Sequence, residues 1–283
     1  VVTGAVTGAW HAGDGTVSAA SLALEPPTAT TLPVPKVEQA PASTDICALP
    51  ELMAALEAHD DAGAIAAAGG GEAFRSAVAA GSAPCIDLAD PSRIWSVVNK
   101  ARPYAPIDYR PLGLVHPEGV RTAEGGSLRS DAAASLTVMV AAARDEAVGE
   151  VALESGFRSF DAQQRTYARH VAERGTAADL VSARPGHSEH QSGLAADVVG
   201  CAGGCGTFDD FAASPQGQWV AANSWEYGWI VRYVENGSDV TGYSPEAWHL
   251  RYVGPELARA YHEGSWTSLE EFFGLPAAPE YPG

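Results

Sequence analysis

Ser188-Glu189-His190-Gln191-Ser192-Gly193-Leu194-Ala195-Ala196-Asp197 pairs a histidine with an aspartate seven residues further on. On a straight strand an odd spacing sends two side chains to opposite faces. The pair converges only if the backbone turns between them. Ser192-Gly193 supplies that turn, because glycine adopts positive φ without a Cβ penalty. Ala195 and Ala196 leave room beside a bound ion. A distant stretch, Glu246-Ala247-Trp248-His249, adds a second imidazole and a carboxylate. Two imidazoles and one carboxylate suit Zn²⁺, which in catalytic sites is held by three protein groups with a fourth position left for water. His190, Asp197 and His249 are the candidate ligands of one Zn²⁺ ion. Glu246, three residues before His249, is the candidate base. The His-Glu-x-x-His helix of the commonest zinc proteases is absent. His11, His59, His116, His170 and His262 are assigned no role, and His187 is expected to line the site rather than ligate.

Composition narrows the possible partners. The 283 residues carry a formal charge of −18 and only two lysines, Lys36 and Lys100. So acidic a surface repels phosphate backbones, so nucleic acid is not an expected partner. An anionic substrate needs one of the few arginines. No run reaches the ~18 apolar residues of a membrane span. Val1 stands first rather than Met, so any export signal is expected to have been removed or to lie outside the chain. The even count of four cysteines favours two disulfides, Cys47 with Cys85 and Cys201 with Cys205, and an oxidising compartment. The alternative is a four-cysteine structural zinc site, although neither spacing is a Cys-x-x-Cys knuckle.

Residues 1–44, with Pro26-Pro27, Pro33 and Pro35, read as an extended tether. Residues 45–92 read as a disulfide-stapled helical segment. Leu49, Leu52, Met53 and Leu56, then Phe74 and Val78, have helical spacing, and Gly69-Gly70-Gly71 divides two helices. Residues 93–283 form the expected catalytic domain. Ser130-Asp131 reads as a cap and a first-turn acid, and Gly149 as the stop of that helix. Val151 to Leu153 predicts a strand that delivers Ser155-Gly156-Phe157-Arg158-Ser159. Ser159 then caps a helix ending at Gly175, with Phe160, Gln164, Tyr167 and Val171 on one face. Leu194 to Val199, Trp229 to Val234 and Leu250 to Val253 predict further strands, with Trp219 to Trp225 helical between them. Strands and helices do not alternate regularly. The fold class is therefore α+β, with a small, mainly antiparallel sheet and flanking helices. Leu257, Ala260, Tyr261, Leu269, Phe272 and Phe273 predict one helix and a shorter second one over the core.

These motifs resemble the VanY-like D-alanyl-D-alanine carboxypeptidase family, zinc peptidases related to the D-Ala-D-Ala dipeptidases and the hedgehog-type fold. The pattern Ser-x-His-x-x-Gly-x-Ala-x-Asp is met by Ser188, His190, Gly193, Ala195 and Asp197. The pattern Glu-x-Trp-His-x-Arg-Tyr-Val-Gly is met by Glu246, Trp248, His249, Arg251, Tyr252, Val253 and Gly254. An upstream Ser-Gly-aromatic-Arg-Ser followed by Gln is met by Ser155 to Ser159 and Gln163. Ala247, where many relatives carry proline, and the Cys201–Cys205 loop are departures that remove no functional group.

The resemblance covers about Trp95 to Leu275. It implies zinc on His190, Asp197 and His249, with Glu246 as base. Arg158 is implied to hold the substrate carboxylate or the developing oxyanion, a task a planar guanidinium suits through paired hydrogen bonds. Gln163 and Ser188 are implied to contact the peptide end, although either could brace a loop. Arg251 has an equal claim to a structural ion pair. The implied activity is D,D-carboxypeptidase trimming of bacterial peptidoglycan stem peptides by a secreted or cell-surface protein. L,D-carboxypeptidase, D,D-dipeptidase and L-Ala-D-Glu endopeptidase chemistry remain open on the same core. A non-catalytic wall-binding module is the competing class, but such a module has no use for Glu246.

Overall fold

The computed structural model describes residues 45–122 and 126–282. The tether expected over 1–44 lies outside the described residues. The N-terminal helices are α1 (Pro50–Glu57), α2 (Asp61–Ala67) and α3 (Gly71–Ala79). The sequence pattern predicts two helices here. The third arises because His59 takes φ 54° and Asp60 accepts a hydrogen bond from the Gly63 amide, capping a new start. Then follow β1 (Leu114–Val115), β2 (Leu128–Arg129), α4 (Ser130–Asp145), β3 (Glu150–Ser155) and α5 (Phe160–Arg174). The chain continues through β4 (Ala195–Ala202), β5 (Gly204–Cys205), α6 (Phe208–Phe211), α7 (Pro215–Asn223) and β6 (Trp229–Tyr233). It closes with α8 (Ser238–Thr241), β7 (Glu246–Tyr252), α9 (Pro255–Glu263) and α10 (Leu269–Phe272).

The expected α+β class is what forms. A five-stranded antiparallel sheet runs β3-β4-β7-β6, with β5 hairpinned onto β4, and β1 pairs with β2 as a separate ribbon. The expected cap at Ser130 is corrected. Arg129 takes the cap position, Ser130 is the first helical residue, and no side chain caps this end. The helix also stops at Asp145, before Gly149, whose φ of 117° instead leads the chain into β3. Ser159 caps α5 as expected, accepting from the Ala162 amide, and Gly175 ends that helix at φ 60°. The face read over α5 is not a buried one, because Val171 stays 41% exposed while Gln163 is the buried residue.

The larger apolar core among the described residues gathers Leu128, Leu136 and Met139 with Leu153, Val198, Trp229 and Leu250 from the sheet, and Leu257 and Phe272 from the last helices. Leu52, Ile65 and Phe74 of the N-terminal helices join it, Phe74 lying 5.0 Å centroid to centroid from Trp95. Gly71 allows α3 to touch α9, since a Cβ there would stand 2.1 Å from the Glu256 carbonyl oxygen. Disulfides join Cys47 to Cys85 and Cys201 to Cys205, the second across the β4–β5 hairpin.

The reversal that begins β4 is built as the motif requires. Glu189–Ser192 form one 3₁₀ turn, and Gly193 closes it in the left-handed region at φ 72°. The Gly193 carbonyl accepts from the Arg129 amide at 2.9 Å, and a Cβ at Gly193 would sit 3.1 Å from that nitrogen. Gly193→Ala is expected to destabilise the fold by about 1–3 kcal/mol, the left-handed penalty plus crowding. Urea unfolding of both proteins measures it, and equal midpoints would contradict the strain argument.

Candidate active site

The β4–β7 register sets the site. Asp197 and His249 are direct cross-strand partners, with Ala196 opposite Leu250 and Ala195 opposite Arg251. His249 Nδ1 lies 2.9 Å from Asp197 Oδ1. The 3₁₀ turn returns His190 to the same carboxylate, with Nε2 at 3.1 Å from Oδ2. The two imidazoles meet edge to face, centroids 5.0 Å apart. One ligand atom from each of His190, Asp197 and His249 lies within 4.8 Å of the others, and all three residues are buried.

Each ring has its outward nitrogen engaged. His190 Nδ1 is 2.8 Å from the Gly156 carbonyl oxygen, and His249 Nε2 is 3.2 Å from Glu189 Oε2. With those nitrogens donating, His190 Nε2 and His249 Nδ1 would be the atoms left to face an ion bound beside Asp197. This is the pattern of metal-bound imidazoles, whose second nitrogen is normally tied to a carbonyl or carboxylate. The donor set therefore fits a divalent ion such as Zn²⁺.

Glu246 reaches the group through a bulge. Val231 pairs with Leu250 and Tyr233 with Glu246, so β7 carries extra residues across Ala247-Trp248-His249. A regular strand would put Glu246 and His249 on opposite faces. The bulge re-aims them, and Glu246 Oε2 stands 3.8 Å from His249 Nδ1. Arg158 enters from the loop between β3 and α5. That loop and the 3₁₀ turn are tied reciprocally, with the Arg158 amide donating to the His190 carbonyl at 3.1 Å. The Arg158 guanidinium donates to Gln163 Oε1 at 3.0 Å and Ser155 Oγ at 2.9 Å, and stands 3.6 Å from Asp197 Oδ2. It keeps some exposure, 24% of the side chain.

Burial raises the Glu246 carboxyl, and the facing His249 only partly opposes this, leaving it at about 7. Burial pulls His249 down, but its hydrogen bonds to Asp197 and Glu189 outweigh that and push it up to about 10 in the metal-free protein. Burial also works against ionised Asp197, yet the adjacent imidazoles hold it well below the usual carboxylate range.

The remaining candidates fall less directly on the site. Gln163 is 1% exposed with both amide ends engaged, its Nε2 donating to the Ala183 carbonyl at 2.6 Å, so it stands behind Arg158 as a brace. Ser188 is buried immediately before the 3₁₀ turn, where its carbonyl accepts from the Gln191 amide. His187 turns away, its Nδ1 at 2.8 Å from the Asn99 carbonyl oxygen. Trp248 stacks on Phe208 with centroids 5.0 Å apart. Arg251 takes the ion pair, 3.1 Å from Glu189 Oε1. Glu189 itself is absent from the sequence-derived set. The sequence signal for it was indirect: two arginines, Arg232 and Arg251, within otherwise apolar strands demand a buried anion.

Comparison with known proteins defines the class. The sequence family VanY: D-alanyl-D-alanine carboxypeptidase matches residues 125–255. The putative carboxypeptidase YodJ of Bacillus subtilis (strain 168) is 38% identical over 192 residues, 66% of this chain and 69% of that protein. The solved LdcB LD-carboxypeptidase superposes with a TM-score of 0.60 at 37% identity, covering 65% of this chain and 87% of that one. The vancomycin-resistance D,D-pentapeptidase VanY, solved in complex with Zn(II), gives 0.53 at 29% identity, covering 62% and 96%. The fold and its relatives are those of peptidases. More particularly, the chain belongs to the VanY-like D-alanyl-D-alanine carboxypeptidase family.

A divalent ion that binds only the folded protein must stabilise it. Zn²⁺ at about 100 times its Kd is expected to add about 2.7 kcal/mol, read as a rise in thermal midpoint that a chelator reverses. In His190→Ala the rise should vanish. An undiminished rise in that variant would place the ion elsewhere.

Proposed function

We propose that this protein is a Zn²⁺-dependent carboxypeptidase that removes the terminal D-alanine from peptidoglycan stem peptides. The observation that carries the reading is the buried His190–Asp197–His249 group flanked by Glu246 and Arg158. Zn²⁺ held by those three side chains supplies Lewis acidity and a bound water acidic enough to ionise near neutral pH. Glu246, raised to about 7, accepts a proton from water at the site and returns it to the leaving amine, a base matched to neutral operation. Arg158, held by Gln163 and Ser155, pairs with the terminal carboxylate and orients the scissile bond. Ser188, at the start of the 3₁₀ turn, is proposed to meet the peptide end.

The D,D reading, removal of the last residue of a pentapeptide stem, rests on the matched family and the VanY neighbour. The L,D reading, removal of D-alanine from a tetrapeptide stem, draws on LdcB, which is 37% identical against 29% for VanY. Secreted or cell-surface action is part of the proposal. Two disulfides suit an oxidising compartment. Among the described residues no helix is long and apolar enough to cross a membrane.

Glu246→Gln is expected to bind one zinc ion while turnover drops about 10²–10⁴-fold. Full activity in that variant would remove Glu246 from the role of base. Purified protein incubated with tetrapeptide and pentapeptide stems, followed by mass spectrometry, distinguishes the bond. Pentapeptide losing one alanine is the expected outcome. Tetrapeptide losing one alanine instead selects the L,D reading, and release of an alanyl dipeptide would overturn both.

A further inference from the structure

Behind the metal-binding group lies a buried cluster that none of the reactive residues enters. Glu189 is fully enclosed, and its two oxygens are divided between different tasks. Oε2 faces His249 Nε2 at 3.2 Å. Oε1 receives Arg232 Nε at 3.0 Å and Arg251 Nη1 at 3.1 Å. Both guanidiniums are held independently. Arg251 Nη2 donates to the Ser96 carbonyl at 2.8 Å, and Arg232 Nη2 to Glu270 Oε1 at 2.9 Å. Glu270 in turn accepts from Asn99 Nδ2 at 2.9 Å. Arg232, Arg251, Glu189 and Glu270 have side chains no more than 1% exposed.

We propose that Glu189 is a positioning residue: clamped by Arg232 and Arg251, its carboxylate fixes His249 as the Nε2–H tautomer and aims Nδ1 at the metal. This rests on the reading of His190, Asp197 and His249 as ligands. Two physical facts carry it. An imidazole has one lone pair to give, and the hydrogen bond made by its other nitrogen decides which. A free carboxylate could swing between partners, but one with an oxygen locked by two fixed guanidiniums leaves only the other for the ring. The two histidines are thereby bound through different atoms, Nε2 of His190 with Nδ1–H on the Gly156 carbonyl, and Nδ1 of His249 with Nε2–H on Glu189.

The chemistry singles out an isosteric test. A glutamine at position 189 has one acceptor and one amide donor. If its oxygen faces the arginines, its NH₂ meets the His249 Nε2–H. If its oxygen faces His249, its NH₂ meets two guanidiniums. Either orientation opposes donor to donor, so Glu189→Gln loses one function or the other.

The experiment compares zinc affinity, by chelator competition, in the wild-type protein, Glu189→Gln and Glu270→Gln. Glu270→Gln disturbs the same buried charges without touching His249. Glu189→Gln is expected to bind zinc roughly 10–100-fold more weakly, and Glu270→Gln to lower the thermal midpoint with affinity within about threefold of wild type. Equal affinities in wild type and Glu189→Gln, or equal losses in both variants, would overturn the proposal. Should Glu189→Gln fail to fold, nitrogen NMR of the zinc-loaded wild-type protein decides. His249 should retain a slowly exchanging proton on Nε2 and His190 one on Nδ1, whereas zinc on His249 Nε2 refutes the clamp. If wild-type protein binds no zinc at all, it is the metal reading that fails, not the positioning.

Discussion

Asp197 and His249 face one another across the β4–β7 ladder, and the rest of the site depends on that pairing. Directly opposed residues of antiparallel strands bring their Cβ atoms to about 5 Å, so two side chains 52 residues apart are held together by backbone hydrogen bonds. A slip of one residue would turn one of them to the other face of the sheet. The flanking pairs resist it, because Ala196 and Leu250 belong to the apolar core while Ala195 and Arg251 share the opposite face. The register that buries the core is the register that brings Asp197 and His249 together.

Two local irregularities complete what the ladder begins. The left-handed turn at Gly193 folds His190 back onto the strand it precedes. The bulge at Ala247-Trp248-His249 moves Glu246 to the side that His249 occupies. Both occur where a regular strand would send the needed side chain the wrong way. The exchange of hydrogen bonds between Arg158 and His190, and between His190 and Gly156, joins the arginine-bearing loop to this turn as one piece. The guanidinium and the imidazole therefore hold their separation without resting on side-chain contacts alone.

The electrostatics follow from burial. Glu246 and Asp197 both face His249 Nδ1, yet burial moves one carboxyl up while the imidazoles hold the other down. Two imidazoles contact Asp197 and keep it ionised, whereas desolvation dominates at Glu246 and raises it to about 7. Such divergence between acids of one site suits the two different roles proposed for Asp197 and Glu246. The N-terminal helices contribute no side chain to this group, but Leu52, Ile65 and Phe74 extend the core that supports Trp95 and α9. A disulfide fastens them at Cys47 and Cys85.

The sequence by itself determined the fold class, the turn at Gly193 and the cap at Ser159, and it singled out His190, Asp197, His249, Glu246 and Arg158, which the fold brings together. The turn, the cap and the histidine–aspartate pair are written in local spacing or residue type: a glycine where φ must be positive, a serine before a helix, small residues beside a histidine. Arg158 comes from the family resemblance. Local pattern misread the ends of α4 and the number of N-terminal helices, because a cap is decided by which backbone groups its neighbours leave unpaired. It also could not reveal Glu189, nor separate Gln163, the buried brace, from Arg158, the partly exposed donor. Those distinctions depend on which oxygen meets which nitrogen among Glu189, Arg232, Arg251 and Glu270. These residues lie far apart along the chain, and only packing three segments around one buried charge decides their contacts.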